Sequence, residues 1–340
     1  MKRIVLCFDG TWNKPADENL PAEKQVETNV CRFYKSIVKN APDGAEQVKW
    51  YDQGVGSRWY DRFIGGAFGI GLEKNILDGY TFMVRQYSPG DEIYVLGFSR
   101  GAYTARSLVG LVRNCGLIYP ENLPVRIAMA YGIYRAREDG PDSETAKGFR
   151  ATYAREVSIK FLGVWDTVGA LGIPVDVLEP MKKRFYEFHD TRLSKIVENA
   201  YHALAIDEHR DIFDACLWDP ESTLEQVLEQ RWFIGAHCDV GGGYAERALS
   251  DIALRWMEDK ATGLGLGLKA VEVGADNFRA AFHDSHAEFL HGIHAKKNPR
   301  HYRVIAATKF GNEKIDETVE RRRREDASYE PQNDGLPPLA

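Results

Sequence analysis

The chain has 340 residues, 44% of them hydrophobic and 28% charged, which is ordinary for a soluble globular protein able to bury one large α/β core or two smaller ones. Its 44 basic and 50 acidic side chains leave a formal net charge of −6, so no nucleic-acid partner is expected, although "ERRRRED" (320–326) is a local basic run. No apolar run approaches the roughly 20 residues that span a bilayer. The opening "MKRIVLCFDGTWN" lacks the long apolar core and small-residue cleavage site of a signal peptide, so a cytoplasmic location is expected, with signal-independent export and peripheral membrane contact left open. The five cysteines (Cys7, Cys31, Cys115, Cys216, Cys238) are scattered and odd in number, which argues against a disulfide framework or a structural zinc site and for small core residues.

In chain order, "KRIVLCFD" (2–9) reads as a buried strand ended by Asp-Gly, and 27–40 has apolar residues at helical spacing. "QVKWYDQGVGS" (47–57) is a second strand ending in glycines. "GGAFGIG" (65–71) opens an amphipathic helix that Ser-Pro-Gly-Asp stops near 91. The strand "EIYVLGF" (92–98) then runs directly into the helix "RGAYTARSLVGLVRNCG", with Gly116 as its C-cap. Residues 118–157 are polar and helix-prone, as an insertion or lid would be. Further strands are expected at "VSIKFLGVWDTVGALG" (157–172), "AYHALAIDEHR" (200–210) and "EQRWFIGAHCDVGGGY" (229–244), followed by a helix over 249–261. This alternation predicts an α/β fold, α/β-hydrolase-like, with a mostly parallel sheet covered by helices on both faces. One domain is expected over 1–312, then a charged, proline-containing and loosely packed tail over 313–340.

Function in such a sheet gathers at the C-terminal ends of the strands. Asp9, Ser99, Asp166, Asp207 and His237 each follow an apolar strand directly. Gly97-Phe98-Ser99-Arg100-Gly101 fits G-x-S-x-G, a pattern that arises by chance in roughly one chain in ten of this length. Its place between strand and helix is what a nucleophile elbow requires, with Gly97 and Gly101 allowing the sharp turn and the Arg100 amide at the helix start facing a developing oxyanion. The competing reading is a serine in a structural turn. A serine needs a base, and His237, in a glycine-rich loop beyond a strong strand, has the best position among the nine histidines. Asp166 is the first choice of acid to orient it, with Asp207 and Asp239 as alternatives. "FDGTWN" (8–13) places Cys7 where a haloacid-dehalogenase-type phosphatase needs its nucleophilic Asp. Gly10 and Thr11 are instead candidates for a second oxyanion donor, with Asp9 holding their loop through backbone N–H bonds.

Two other patterns carry less. "GGAFGIG" resembles a phosphate loop but has neither the Lys-Ser/Thr of a P-loop nor a correctly placed G-x-G-x-x-G, so close packing is the simpler reading. His283/His286 and His291/His294 fall at helical spacing, yet no companion acid or cysteine pattern supports a metal site.

Together "FDGTWN", "GDEIYVLGFSRGAYTAR", "GVWDTVGALG", "ALAIDEHR" and "GAHCDVGGGYAERALSDIALRWM" resemble the DUF2235 family, which includes the catalytic domain of the Tle1-like phospholipase effectors of type VI secretion. The resemblance runs from about residue 2 to 310. It implies an α/β-hydrolase fold and a Ser-Asp-His triad carried onto Ser99, Asp166 and His237, acting on a small-molecule or lipid acyl ester through an acyl-enzyme. That chemistry calls for no cofactor and no metal. The alternatives are a hydrolase-fold binding module without turnover, and a metal-dependent hydrolase using Asp9, His237 and Asp239. Oligomeric state is not legible.

Overall fold

The computed structural model describes residues 1–10, 26–54, 68–136, 138–168, 192–219, 226–308 and 312–339. Among these, seven strands form one sheet in which every pairing is parallel: β1 (Lys2–Phe8), β2 (Glu46–Asp52), β3 (Glu92–Phe98), β6 (Phe161–Trp165), β7 (Asn199–Ala205), β8 (Val227–Phe233) and β9 (Glu313–Ile315). Their order is β2-β1-β3-β6-β7-β8-β9. The short strands β4 (Leu117–Ile118) and β5 (Ala154–Arg155) pair separately and antiparallel.

A parallel sheet needs apolar cover on both faces, and the period-2 alternation of its strands supplies two cores. Ile4, Leu6, Phe8, Ile93 and Val95 point into one. There they meet Ile76, Tyr80 and Met83 of helix α2 (Phe68–Gln86) and Leu108 and Leu111 of helix α3 (Arg100–Cys115). Val5, Cys7, Tyr94, Leu96, Phe161 and Trp165 point into the other, against Val30 and Phe33 of helix α1 (Asn29–Ser36).

The region expected as an insertion or lid contains α4 (Leu123–Arg135) and α5 (Glu144–Tyr153), whose Leu123, Ala130, Ile133 and Phe149 join the same core as α3. The five cysteines are free; Cys7, Cys31 and Cys115 are buried, and Cys216 and Cys238 are half-buried. α6 (His237–Gly241) follows β8, and α7 (Ala248–Gly263), tied to α1 through Asp251 and Arg32, adds Ala253, Leu254 and Met257 to the second core.

Residues 313–339 do not form the loosely packed tail that their charge suggested. β9 pairs with β8, and α8 (Glu317–Glu325) buries Val319 in a third core with Trp232 and Leu249. Two arginines of the basic run of α8, Arg322 and Arg323, are buried. Arg322 donates to the carbonyls of Phe278 and Ala280, and Arg323 to the Pro337 carbonyl and to Glu330. Loop carbonyls that would otherwise be buried unpaired explain why these arginines turn inward. Among the described residues, no helix is long and apolar enough to cross a membrane.

Candidate active site

β3 ends at Phe98, and the chain enters α3 through Ser99 at φ 56° and ψ −120°. A non-glycine residue at positive φ costs about 1–3 kcal/mol and persists only where its surroundings impose it. The flanking glycines show what imposes it. A Cβ on Gly101 would sit 2.1 Å from the Phe8 carbonyl oxygen, and one on Gly97 would sit 2.5 Å from the Gly101 carbonyl oxygen. The first turn of α3 is therefore pressed onto the ends of β1 and β3. The Ser99 N–H extends the ladder by donating to the Trp165 carbonyl at 3.1 Å, which sets Ser99 beside Asp166 at the end of the adjacent strand.

Asp166 also has positive φ, 37°, and is wholly buried. Its Oδ2 accepts from His237 Nδ1 at 2.6 Å, and its Oδ1 accepts from the Ala205 N–H at 3.0 Å. Arg303 grips both oxygens, Nη1 at 2.6 Å and Nη2 at 3.1 Å. Burial alone would raise this carboxyl, but the Arg303 charge and the hydrogen bonds from His237 and Arg303 outweigh it and hold Asp166 well below the usual carboxylate range.

His237 opens α6 with its ring packed between Phe98 (centroids 4.6 Å apart) and Phe213 (5.1 Å). Its own N–H donates to Glu208 Oε2 at 3.2 Å. Burial pulls the imidazole below its ordinary value, opposed by its hydrogen bond to Asp166 and the carboxylate's charge. An ionised Asp166 can only accept, so Nδ1 carries the proton and Nε2 is left as the basic nitrogen.

The rival acids have other partners. Asp207 Oδ2 accepts from the Gly235 N–H at 2.7 Å and from Tyr329 at 2.9 Å, and burial pushes its carboxyl up to about 6. Asp239 accepts from the Ala236 N–H, the His283 N–H and His283 Nδ1, so it shapes the loop before α6. Asp9 accepts from Gly10, Thr28 and Tyr51, tying the end of β1 to the N-cap of α1 and to β2. The Gly10 amide, a candidate oxyanion donor, is instead engaged by Asp9 Oδ1 at 2.6 Å. Thr11 and the first three residues of "GGAFGIG" (65–67) lie outside the described residues.

Among the described residues, no group of three or more His, Cys, Asp or Glu side chains could hold a metal ion, so Asp9, His237 and Asp239 do not converge as a metal site would need. Nor do His283 and His286 act as a pair: the first binds Asp239, while His286 Nε2 donates to the Asn298 carbonyl at 3.0 Å. His294 packs edge-on against His286, and nothing in this contact sets up a ligand site. The Arg100 side chain is a separate matter from its amide. Its guanidinium is largely buried, burial lowers it to about 10, and among the described residues its Nη2 has no hydrogen-bond partner.

Residues 2–260 match the family of T6SS phospholipase effector Tle1-like catalytic domains. The chain belongs to this family. A Saccharomyces cerevisiae protein, the uncharacterized YEL023C, is 33% identical over 243 residues, 64% of this chain and 33% of that protein. An uncharacterized protein from Pseudomonas aeruginosa is 20% identical with a TM-score of 0.45, over 79% of this chain and 46% of that one. The Tle1 effector, in a structure bound to the VgrG spike of the type 6 secretion system, is 19% identical with a TM-score of 0.41, over 71% and 51%. The chain thus spans about a third of the yeast relative and about half of each of the two solved proteins.

Sequence reading of this Tle1-like domain missed Arg303, Glu208, Arg210 and Phe213. Glu208 is fully buried, bonds the His237 backbone and Ser285, and is paired with Arg210 at 2.7 Å. Arg210 in turn stacks on Phe213, 3.6 Å from the ring centroid. Glu208 and Arg210 stand in plain view in "AIDEHR", where two charged residues beyond a buried strand were the available signal. Arg303 has no comparable local signature.

Proposed function

We propose that this Tle1-like domain is a serine hydrolase of carboxylic esters, with lipid acyl esters as the substrate class its family points to. The observation that carries the reading is the buried chain Arg303–Asp166–His237, whose imidazole lies against Phe98, the residue that leads into Ser99. Ser99 Oγ attacks the ester carbonyl as His237 Nε2 takes its proton. Asp166 holds the ring in the Nδ1–H tautomer and stabilises the imidazolium. The Arg100 amide, one of the first-turn N–H groups without an intrahelical acceptor, donates to the oxyanion. Collapse expels the alcohol, which leaves with the proton from His237. Water, deprotonated by His237, then releases the carboxylic acid and restores Ser99.

A fluorophosphonate probe tests this directly. Wild type is expected to label and Ser99→Ala to stay unlabelled, with labelling unaffected by chelator. A folded wild type that does not react would overturn the reading in favour of a binding module. Loss of ester hydrolysis in chelator would favour the metal-dependent alternative. Turnover of p-nitrophenyl esters of increasing chain length, beside phospholipid vesicles, then defines the acyl group.

A further inference from the structure

Beyond residue 260, where the family match ends, the chain returns to the site and inserts Arg303 behind Asp166. Arg303 is 1% exposed and makes four hydrogen bonds there: two to the Asp166 carboxylate, one to the Ala205 carbonyl at 2.7 Å and one to the Phe213 carbonyl at 2.5 Å. Its backbone is fixed from farther along. Asn333 donates to the carbonyls of Arg303 and Ile206, and the Ile305 N–H donates to the Asp334 carbonyl. Such a fork cannot shift without breaking bonds to three separate elements.

The charges facing His237 can be counted. Asp166 and Arg303 form one buried pair, and Glu208 and Arg210 form a second. Asp239 lies in the same short helix but is paired with His283. With both ionised, these two pairs sum to zero, so an imidazolium adds a positive charge that neither pair offsets and a neutral imidazole adds none. Without Arg303 the balance becomes negative, and the same imidazolium would be the favoured state.

We propose that Arg303 is a positioning residue of this site: its guanidinium fixes the Asp166 carboxylate against the His237 Nδ1–H and offsets its charge, so that His237 rests as a neutral base. The inference rests on the reading of Asp166 and His237 as acid and base. It also makes the segment beyond the family match part of the working site.

The test uses the full chain with Arg303→Met, which removes the charge, and Arg303→Lys, which keeps the charge but not the fork. NMR titration of the His237 ring, assigned against His237→Gln, needs no turnover. Wild type is expected to titrate below the ordinary imidazole value of about 6.5. Arg303→Met is expected to move upward by about one pH unit or more, and Arg303→Lys to stay nearer wild type. The acid limb of the fluorophosphonate labelling rate should move with it, with about a tenfold loss on that limb for each pH unit by which His237 titrates higher. A folded Arg303→Met whose His237 titrates as in wild type would overturn the proposal. If Arg303→Met does not fold, wild type decides, since a His237 value at or above about 6.5 overturns the proposal too. If the titration moves as expected while wild type never labels, the charge balance stands and the hydrolase reading falls.

Discussion

Replacing Asp166 by Asn tests the site at its most connected atom pair. Oδ1 receives Arg303 Nη1 and the Ala205 N–H; Oδ2 receives His237 Nδ1 and Arg303 Nη2. The amide of Asn has one oxygen and one NH2, and of the four donors only His237 Nδ1 can become an acceptor, so the NH2 takes the Oδ2 place and loses the Arg303 Nη2 bond. It turns toward His237, donates to Nδ1, and forces the tautomer with the proton on Nε2, which can no longer accept the Ser99 proton. Reversal of this kind costs about 10⁴ in rate in the Ser-His-Asp template, or about 5.5 kcal/mol in the barrier. Arg303 is also left buried without its counter-charge, at about 3–5 kcal/mol. Unfolding entropy for 340 residues is about 0.7 kcal/mol per kelvin, so the melting temperature should fall by about 4–7 °C. Fluorophosphonate labelling rate and a calorimetric melt read the two effects separately. A folded Asp166→Asn that labels within about tenfold of wild type would refute the assignment, most sharply if Asp207→Asn labels not at all.

Asp207→Asn should retain labelling and change the pH dependence of stability instead. Burial raises this carboxyl to about 6, so its contribution is fully present below the unfolded value near 4 and is lost as pH rises through about 6. The Asn variant should therefore lack the fall in melting temperature between about pH 4 and 6, and an unchanged slope would contradict the burial argument. Gly241→Ala would put a Cβ 1.9 Å from the Phe98 ring, which backs His237. It should cost about 1–3 kcal/mol and slow labelling together, and a neutral melt would show that the ring can give way. Ser99→Gly and Ser99→Ala both remove the proposed nucleophile, but only Gly relieves the positive φ. The Gly variant should melt higher, by up to about 1–3 kcal/mol of strain released, and equal melts would show that the turn is unstrained.

Some of this was legible in the sequence because it is local. The strand-Ser99-helix corner is written in Gly97 and Gly101, whose missing Cβ atoms the packing demands. The strand ends were readable from apolar runs stopped by polar residues, which is how Asp9, Asp166, Asp207 and His237 came into view. Among the acids Asp166 came first in the sequence reading, but periodicity alone places Asp166 and Asp207 equally at strand ends. What separates them is which neighbour each carboxylate meets, and that depends on Gly235 and Tyr329 for one and on Arg303 for the other. The pairing of Arg303 with Asp166 spans 137 residues and leaves no local pattern. The inward turn of Arg322 and Arg323 was not legible, because sequence alone does not show that the Phe278, Ala280 and Pro337 carbonyls need donors.

The sheet order explains how Asp166, at the end of β6, meets a histidine that follows β8. Neighbouring strands lie about 4.8 Å apart, so β6 and β8 are separated by roughly 10 Å across β7. Asp166 covers part of that gap by leaning over the end of β7, where its Oδ1 takes the Ala205 N–H, and the positive φ of Asp166 gives it that direction. His237 covers the rest from a helix start braced by Glu208, which itself stands just beyond β7. Asp207 is nearer to β8 in strand order, but its carboxylate is held by the Gly235 N–H and so supports the loop that carries His237 rather than the ring. Proximity in strand order therefore favours the structural role, and the reach from one strand farther allows the carboxylate to meet the imidazole edge-on. The same geometry leaves the back of Asp166 facing the core, where only a buried cation can balance it, and Arg303 meets that need from the far end of the chain.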